Sequence, residues 1–318
     1  MNLYIDLAYS ALKCKTINSE FSFPNEIRIA ADPGSLVIDG VPVYDFEGHK
    51  LVIGETVNGK TLHKRSFDFL LQYAPVLVAH AIRLSNVYPG SITALKIGIP
   101  FGNCKNGDKA RLIERLSRFV VDGREYRYEV DCLPQGVGVF LEYLYEEKPE
   151  DKNESGYVLD FGYNTVLLVK YENLKARHAG SEQMDQYGIS LVVDRISKDL
   201  REKFRLNLPL IEVNKIFRNR YLDDCGKRHD ISDLCDKAVR EYLDQILFEL
   251  MDKNEDKFRR VNKIIIGGGG AYYITKASIP EMFRDMVHIM PNQPEFANVR
   301  GFMRVEEEAA RKAAQQAA

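Results

Sequence analysis

No apolar run in this 318-residue sequence approaches the ~20 residues that a membrane-spanning helix needs, so no membrane span is expected. An excess of either charge is also missing. Lys and Arg number 44 against 46 Asp and Glu, a formal net charge of −2, and such a balance calls for neither direct nucleic-acid binding nor an anionic membrane. Cysteine is scarce and odd in number: Cys14, Cys104, Cys132, Cys225 and Cys235. That usage fits reduced thiols in a cytoplasmic protein and not a disulfide framework. Cys225, His229 and Cys235 lie close together, but a fourth ligand is lacking and their spacing fits no common zinc pattern. His80, His178 and His288 have no nucleophile nearby in sequence, so nothing indicates a Ser-His-Asp arrangement. The stretch from Met1 to Cys14 lacks a basic leader and carries Asp6 in its middle, which reads as a strand and not as a signal peptide.

Two common nucleotide signatures are absent as well. Gly102-Asn103-Cys104-Lys105-Asn106-Gly107-Asp108-Lys109 begins like a Walker A loop. Asp108 stands in the lysine place, however, and Ala110 follows Lys109, so a negative charge sits where a cation is required. A glycine run near residue 267 lacks the G-x-G-x-x-G spacing and downstream acid of a dinucleotide fold.

What is present is an α/β pattern with a charged midpoint. Leu3–Ile5 reads as a buried strand, followed by a tight turn and a second strand from Ala11. Phe21 to Val57 suggests hairpins, including one at Asp39-Gly40. Ser66 is placed to cap a helix that Pro75 kinks or restarts. Ala94–Ile99 and Tyr126–Val130 read as strands, and Pro134 starts a helix over Gln135–Tyr145. The segment Glu146–Glu154 is charged throughout and has no apolar side, which marks a solvated boundary. Beyond it come the strand Tyr157–Leu159, a tight turn and the strand Val166–Tyr171. Ile189, Val192, Val193, Ile196 and Leu200 follow at helical spacing. Further helices over about 209–219 and 231–252 make a mainly helical insert.

The informative feature is a turn that occurs twice. Tyr4-Ile5-Asp6-Leu7-Ala8-Tyr9-Ser10-Ala11-Leu12 matches Val158-Leu159-Asp160-Phe161-Gly162-Tyr163-Asn164-Thr165-Val166 position by position. Each offers an Asp at a strand end, a small residue, a Tyr and a short polar residue. A small residue lets backbone approach an anion, and successive turn amides make a nest for phosphate oxygens. The carboxylate would repel phosphate directly, but it can hold the water shell of Mg²⁺. Two such hairpins, one per half, imply a duplicated protein with a triphosphate held between two lobes. Ile264-Ile265-Ile266-Gly267-Gly268-Gly269-Gly270-Ala271 adds a strand that stops in bare backbone before a helix, suited to a ribose and α-phosphate.

With these pieces in order, the chain resembles the actin, sugar kinase and heat-shock chaperone ATPase superfamily. Its likeness is greatest to the ParM/StbA-type bacterial actins of plasmid segregation and their archaeal relatives. Asp6 to Lys13 looks like the first phosphate motif, Asp160 to Thr165 like the second and Ile264 to Ala271 like the adenosine motif. Leu133 to Gly138 looks like the connecting helix start that carries a catalytic Gln or Glu. Phe67 to Pro75 and Pro294 to Gly301 are reminiscent of the ParM-type subgroup in particular. The resemblance implies an actin-like, duplicated ribonuclease H-like α/β fold with two lobes flanking a nucleotide cleft. Lobe I would span 1–150, lobe II 151–300 with its insert at about 197–255, and a C-terminal helix over 301–318 would pack back on lobe I.

It further implies ATP and Mg²⁺ as ligands, with Asp6 and Asp160 placing the hydrated metal and Gln135 orienting the attacking water. The phosphates would contact Ala8, Tyr9, Ser10 and Lys13 on one side and Gly162, Tyr163, Asn164 and Thr165 on the other. Gly188 and Gly267, Gly268, Gly269 and Gly270 would flank the nucleoside. Ala8 departs from the family's usual Gly, which bears on turnover more than on binding. The implied partners are further copies in a head-to-tail filament, and an adaptor protein linking it to DNA or other cargo. A sugar-type kinase would use the same clamp but needs a carboxylate base, which Gln135 does not supply. A chaperone ATPase would carry a substrate-binding domain after the nucleotide region, and none follows here.

Overall fold

The computed structural model describes residues 1–29, 41–54, 61–62, 66–104 and 107–317. The hairpin expected at Asp39-Gly40 lies outside the described residues, as do Lys105 and Asn106 of the Walker-like loop. The chain folds as two compact units, Met1–Lys148 with Glu295–Ala318, and Pro149–Pro294.

In the first unit β1 (Asn2–Asp6), β2 (Ala11–Lys15) and β3 (Glu20–Pro24) run as an antiparallel meander. Next come β4 (Ile27–Ile29), β5 (Val43–Phe46), β6 (His49–Ile53) and β7 (Thr61–Leu62), which form a separate sheet in the order β5-β6-β4-β7. Helix α1 (Phe67–Leu84) begins where the Ser66 side chain accepts from the Phe69 N–H at 3.3 Å, the expected cap. Pro75 sits inside α1 without ending it. Burial of Leu70, Ala74, Leu77, Val78 and Ala81 on either side holds the helix through the missing hydrogen bond.

Then follow β8 (Ala94–Ile99), α2 (Asp108–Ser117), the hairpin β9 (Arg118–Val121) and β10 (Arg124–Arg127), β11 (Glu129–Pro134) and α3 (Val137–Glu147). Two boundaries differ from expectation. The strand read at Tyr126–Val130 is divided between β10 and β11, and the helix read from Gln135 starts at Val137. One cause explains both. The β11 strand pairs in parallel with the whole of β8, up to Pro134 opposite Ile99. The chain therefore stays extended through Pro134, and Gly136 (φ 79°) makes the turn into the helix, a conformation glycine adopts without strain.

The second unit opens with β12 (Gly156–Phe161), β13 (Thr165–Glu172) and β14 (Lys175–Asp185). Helix α4 (Ser190–Phe204) buries Val192, Val193, Ile196 and Leu200, the stripe read from spacing. The insert contains α5 (Leu210–Asn219), a hairpin of β15 (Tyr221–Asp224) and β16 (Lys227–Asp230), and α6 (Ser232–Tyr242). A π-helical turn over Leu243–Leu247 joins α6 to α7 (Phe248–Lys253), and the short α8 (Glu255–Phe258) follows. Strand β17 (Lys263–Gly267) then enters the glycine run, and β18 (Val287–Ile289) completes the sheet. Gly269–Tyr273 forms a short 3₁₀ turn in place of the expected helix, consistent with the poor helix propensity of consecutive glycines. The connector is also less uniform than its charge suggested. Glu154 is buried, and its Oε1 accepts from the Tyr171 hydroxyl at 2.9 Å.

The last helix, α9 (Ala297–Ala317), belongs to the first unit and packs along α3. The contact is close because both helices present glycine. A Cβ on Gly301 would lie 1.8 Å from the Gly138 carbonyl oxygen, and one on Gly138 would lie 2.4 Å from that of Asn298. Buried Glu142 on α3 accepts from Arg304 Nε on α9 at 3.0 Å.

The two principal sheets repeat one plan. The first runs β3-β2-β1-β8-β11 and the second β14-β13-β12-β17-β18. In each, the first three strands are antiparallel to their neighbours and the last three are parallel. The central strands β12 and β17 are buried almost throughout, as continuous apolar runs in doubly covered parallel strands must be.

Candidate functional site

The first turn grows out of β1. Asp6 pairs in register with Lys13 on β2 and with Gly98 on β8, which sets its carboxylate at the sheet's end. It is 4% exposed. Burial pushes its pKa up, while the Lys13 charge and hydrogen bonds from Gln135 and Asn298 pull it down. Gln135 is buried too, with its backbone N–H bonded to the Ile99 carbonyl at 2.9 Å. Its Nε2 donates to Asp6 Oδ1 at 2.5 Å and to the Leu7 carbonyl at 3.3 Å. Both bonds use the amide nitrogen, so Oε1 remains the atom able to accept from water.

Three carbonyls of this turn are tied to the scaffold. The Leu7 oxygen meets Gln135, the Ala8 oxygen accepts from Asn25 Nδ2 at 3.0 Å, and the Ser10 oxygen accepts from the Asn25 backbone N–H at 2.9 Å. In a trans peptide the N–H points opposite to the carbonyl of the same unit. The amides of Ala8 and Tyr9 are thereby turned away from the scaffold, the orientation an anion nest requires. Ala8 has no positive φ, so its methyl brings no backbone strain.

The second turn reaches the same orientation by other means. The Gly162 carbonyl accepts from the Ile189 N–H at 3.2 Å, that of Tyr163 from Ser190 at 2.6 Å, and that of Asn164 from Gln186 at 2.9 Å. The Gly162 N–H bonds the Thr165 carbonyl at 2.9 Å and closes the turn. Three carbonyls again face the scaffold, and the amides of Tyr163, Asn164 and Thr165 face away from it. Gly188 makes this packing possible, since a Cβ there would lie 2.5 Å from the Tyr163 carbonyl. Asp160 is 6% exposed and stands in register with Gly267. Gly268 (φ 79°) lies against it so closely that a Cβ would come within 2.2 Å of Asp160 Oδ1. Gly270 packs on Phe161 and Ile189.

Within each unit, therefore, the structure brings together residues read as separate motifs. In the first these are Asp6, Ala8, Tyr9, Ser10, Lys13 and Gln135. In the second they are Asp160, Gly162 to Thr165, Gly188 and the turn Gly267–Gly270. Cys225 and His229 are drawn into no metal site, and His229 instead meets the Phe204 ring edge-on at 5.3 Å. Among the described residues no three His, Cys, Asp or Glu gather as a metal cage. No helix there is long and apolar enough to cross a membrane. Sequence reading missed Asn25 and Asn298. Asn298 lies inside the segment Pro294 to Gly301 already singled out, whereas nothing around Asn25 distinguished it.

Comparison with known proteins identifies the fold. Residues 158–277 match the family model of the archaeal actin homologue MreB-like C-terminal domain. Among solved structures, Ta0583, an archaeal actin homolog, superposes with a TM-score of 0.79 at 18% identity, over 96% of this chain and 99% of that one. Its complex with ADP gives 0.77 at 19% identity, again over 96% and 99%. A subunit of a 15-stranded ParM filament from Clostridium botulinum gives 0.73 at 18% identity over 96% and 99%. No curated protein sequence matches. The fold is actin-like. Within that class it is of the type seen in archaeal actin homologues and ParM.

Proposed function

We propose that the protein is a cytoplasmic actin-like ATPase that binds Mg-ATP with both hairpins and polymerises head to tail into nucleotide-dependent filaments. The filament would segregate plasmid DNA or position another cargo through an adaptor protein. The observation that carries this reading is the matched anchoring of the two turns, each with three carbonyls tied down on the same sheet plan. Two anion-directed turns, each beside a buried carboxylate, suit a triphosphate with a hydrated divalent cation. Mg²⁺ keeps several waters and is held by one or two carboxylates plus phosphates, not by an all-protein cage, and Asp6 and Asp160, each buried beside its turn, are donors of that kind. The nucleoside is assigned to the segment Gly267–Gly270, where Gly268 and Gly270 already pack the turn against Asp160 and Phe161. The ADP complex of the archaeal homolog and the ParM filament, both of this fold, support the ligand and the assembly.

When bound, Mg-ATP would supply the phosphoanhydride, with the metal offsetting part of its charge. Asp6 and Asp160 would hold the metal's water shell. The turn amides, Ser10, Lys13 and Thr165 would bind phosphate oxygens, and Gln135 would orient water through Oε1 while its Nε2 stays on Asp6. This is the positioning role that phosphoryl transfer asks of a protein. Sedimentation with ATP, ADP or GTP, followed by electron microscopy, tests the assembly. Filaments pelleting with a nucleoside triphosphate and not with ADP are expected. A protein that stays in the supernatant under every nucleotide contradicts the filament reading.

A further inference from the structure

Asn298 is 4% exposed and sits in the first turn of α9, 162 residues along the chain from its partner Gly136. Its Oδ1 accepts from the Gly136 backbone N–H at 2.9 Å. Its amide also bonds the Asp6 side chain, and with Oδ1 already an acceptor, Nδ2 is the donor there. One carboxamide thus joins three pieces of chain: the end of β1, the turn between β11 and α3, and the start of α9. The turn it holds is the one that carries Gln135, whose own Nε2 donates to the same carboxylate.

The approach is built into the backbone. Asn298 Cα would be 2.6 Å from a Cβ on Gly138, so the first turn of α9 can reach Gly136 only because α3 lacks a side chain at that point. Gly301, one turn along, extends the same close crossing. Packing alone would be served by an apolar residue. A buried amide with both ends engaged is instead a device for fixing orientation, since leaving either end unmade costs free energy.

We infer that Asn298 is a positioning residue for hydrolysis, acting through Asp6 and the Gln135-Gly136 turn to hold the water-orienting amide in its working direction. Asn298 itself touches neither nucleotide nor metal. The inference rests on the proposed function of the site and deepens it, because it makes α9 part of the hydrolytic apparatus.

The test compares the full chain with Asn298→Ala, Gln135→Ala and the double variant, reading ATP affinity and kcat separately. For Asn298→Ala the expected outcome is a kcat lower by about tenfold to a hundredfold, the range seen when a residue orienting a primary ligand is lost, with ATP affinity within about threefold of wild type by the same reasoning. The double variant is expected to be no slower than Gln135→Ala alone, since residues acting as a unit are not additive. A merely structural asparagine would give losses that multiply. Asn298→Ser, a small polar replacement that shortens the reach to both partners, carries the same comparison if the alanine variant does not fold. Wild-type kcat in a folded Asn298 variant, or multiplying losses, overturns the inference. A wild-type protein that neither binds nor hydrolyses ATP overturns the underlying reading instead.

Discussion

The two turns reach one arrangement from different materials. In the first unit the carbonyls are held largely by side chains, Asn25 Nδ2 and Gln135 Nε2, with one backbone bond from Asn25. In the second they are held by backbone amides of Gln186, Ile189 and Ser190. The first can therefore carry Ala8, but it depends on particular amide side chains. The second tolerates side-chain change around it but needs glycine wherever backbone meets backbone, at Gly188 and Gly268. The two units share the sheet plan and the direction of the amides, while the means of holding them differ. The residues proposed for hydrolysis lie on the side-chain half, where Gln135 and Asn298 converge on Asp6.

The largest expected effects break this division directly. Gln135→Ala should bind ATP yet hydrolyse it about a hundredfold more slowly, the usual scale for losing a group that manages the attacking water, as read from steady-state phosphate release. Gly268→Ala places a methyl against Asp160 and the Phe161 carbonyl. It should cost about 1–3 kcal/mol in ATP binding or stability, the range for overpacking. Gly98→Ala, beside Asp6 in the first unit, meets mainly the Phe302 ring, at 2.6 Å. A ring can shift where a carbonyl cannot, so isothermal titration should find the smaller loss there.

An intermediate effect separates the units by pH. His80 in α1 is buried, stacked edge-on against Phe23 and bonded through Nδ1 to the Tyr44 hydroxyl at 2.8 Å. Burial, helped by the nearby Arg83 charge, lowers its pKa to about 4. The unfolded chain takes up this proton near pH ~6.5, so it binds more protons than the native state between these values. Stability is full above that window and is lost as the pH falls through it. Urea titrations at pH 7 and pH 5 should show the wild type losing about 1–2 kcal/mol more than His80→Gln.

The smallest effect is expected from exchanging the small residues of the two turns. Gly162→Ala brings a Cβ to 3.1 Å from the Thr165 carbonyl and should weaken ATP binding several-fold. Ala8→Gly should change turnover by no more than about threefold, since Ala8 is unstrained.

The sequence showed the duplication clearly, because two tight turns with the same order of Asp, small residue and Tyr need only local comparison. The strand that precedes each turn was legible for the same reason, as a continuous apolar run. Gln135 was recognised, but its setting was not. A Pro-Gln-Gly run reads as a helix start, and only the pairing of β11 with β8 keeps it extended. Asn25 and Asn298 act across 17 and 162 residues respectively, and no local pattern records such a bond. The glycine turn had the right residues for close approach, but the identity of what approaches, Asp160, is a tertiary fact.

The central claim is that two buried carboxylates, one per unit, serve the metal of a bound nucleotide. Equilibrium ATP binding with and without Mg²⁺, for wild type, Asp6→Asn and Asp160→Asn, measures this most directly. The account predicts that each carboxamide abolishes most of the Mg²⁺-dependent gain in affinity, at least about tenfold, while leaving Mg²⁺-free binding near the wild-type value. Equal Mg²⁺ dependence in all three proteins would contradict it.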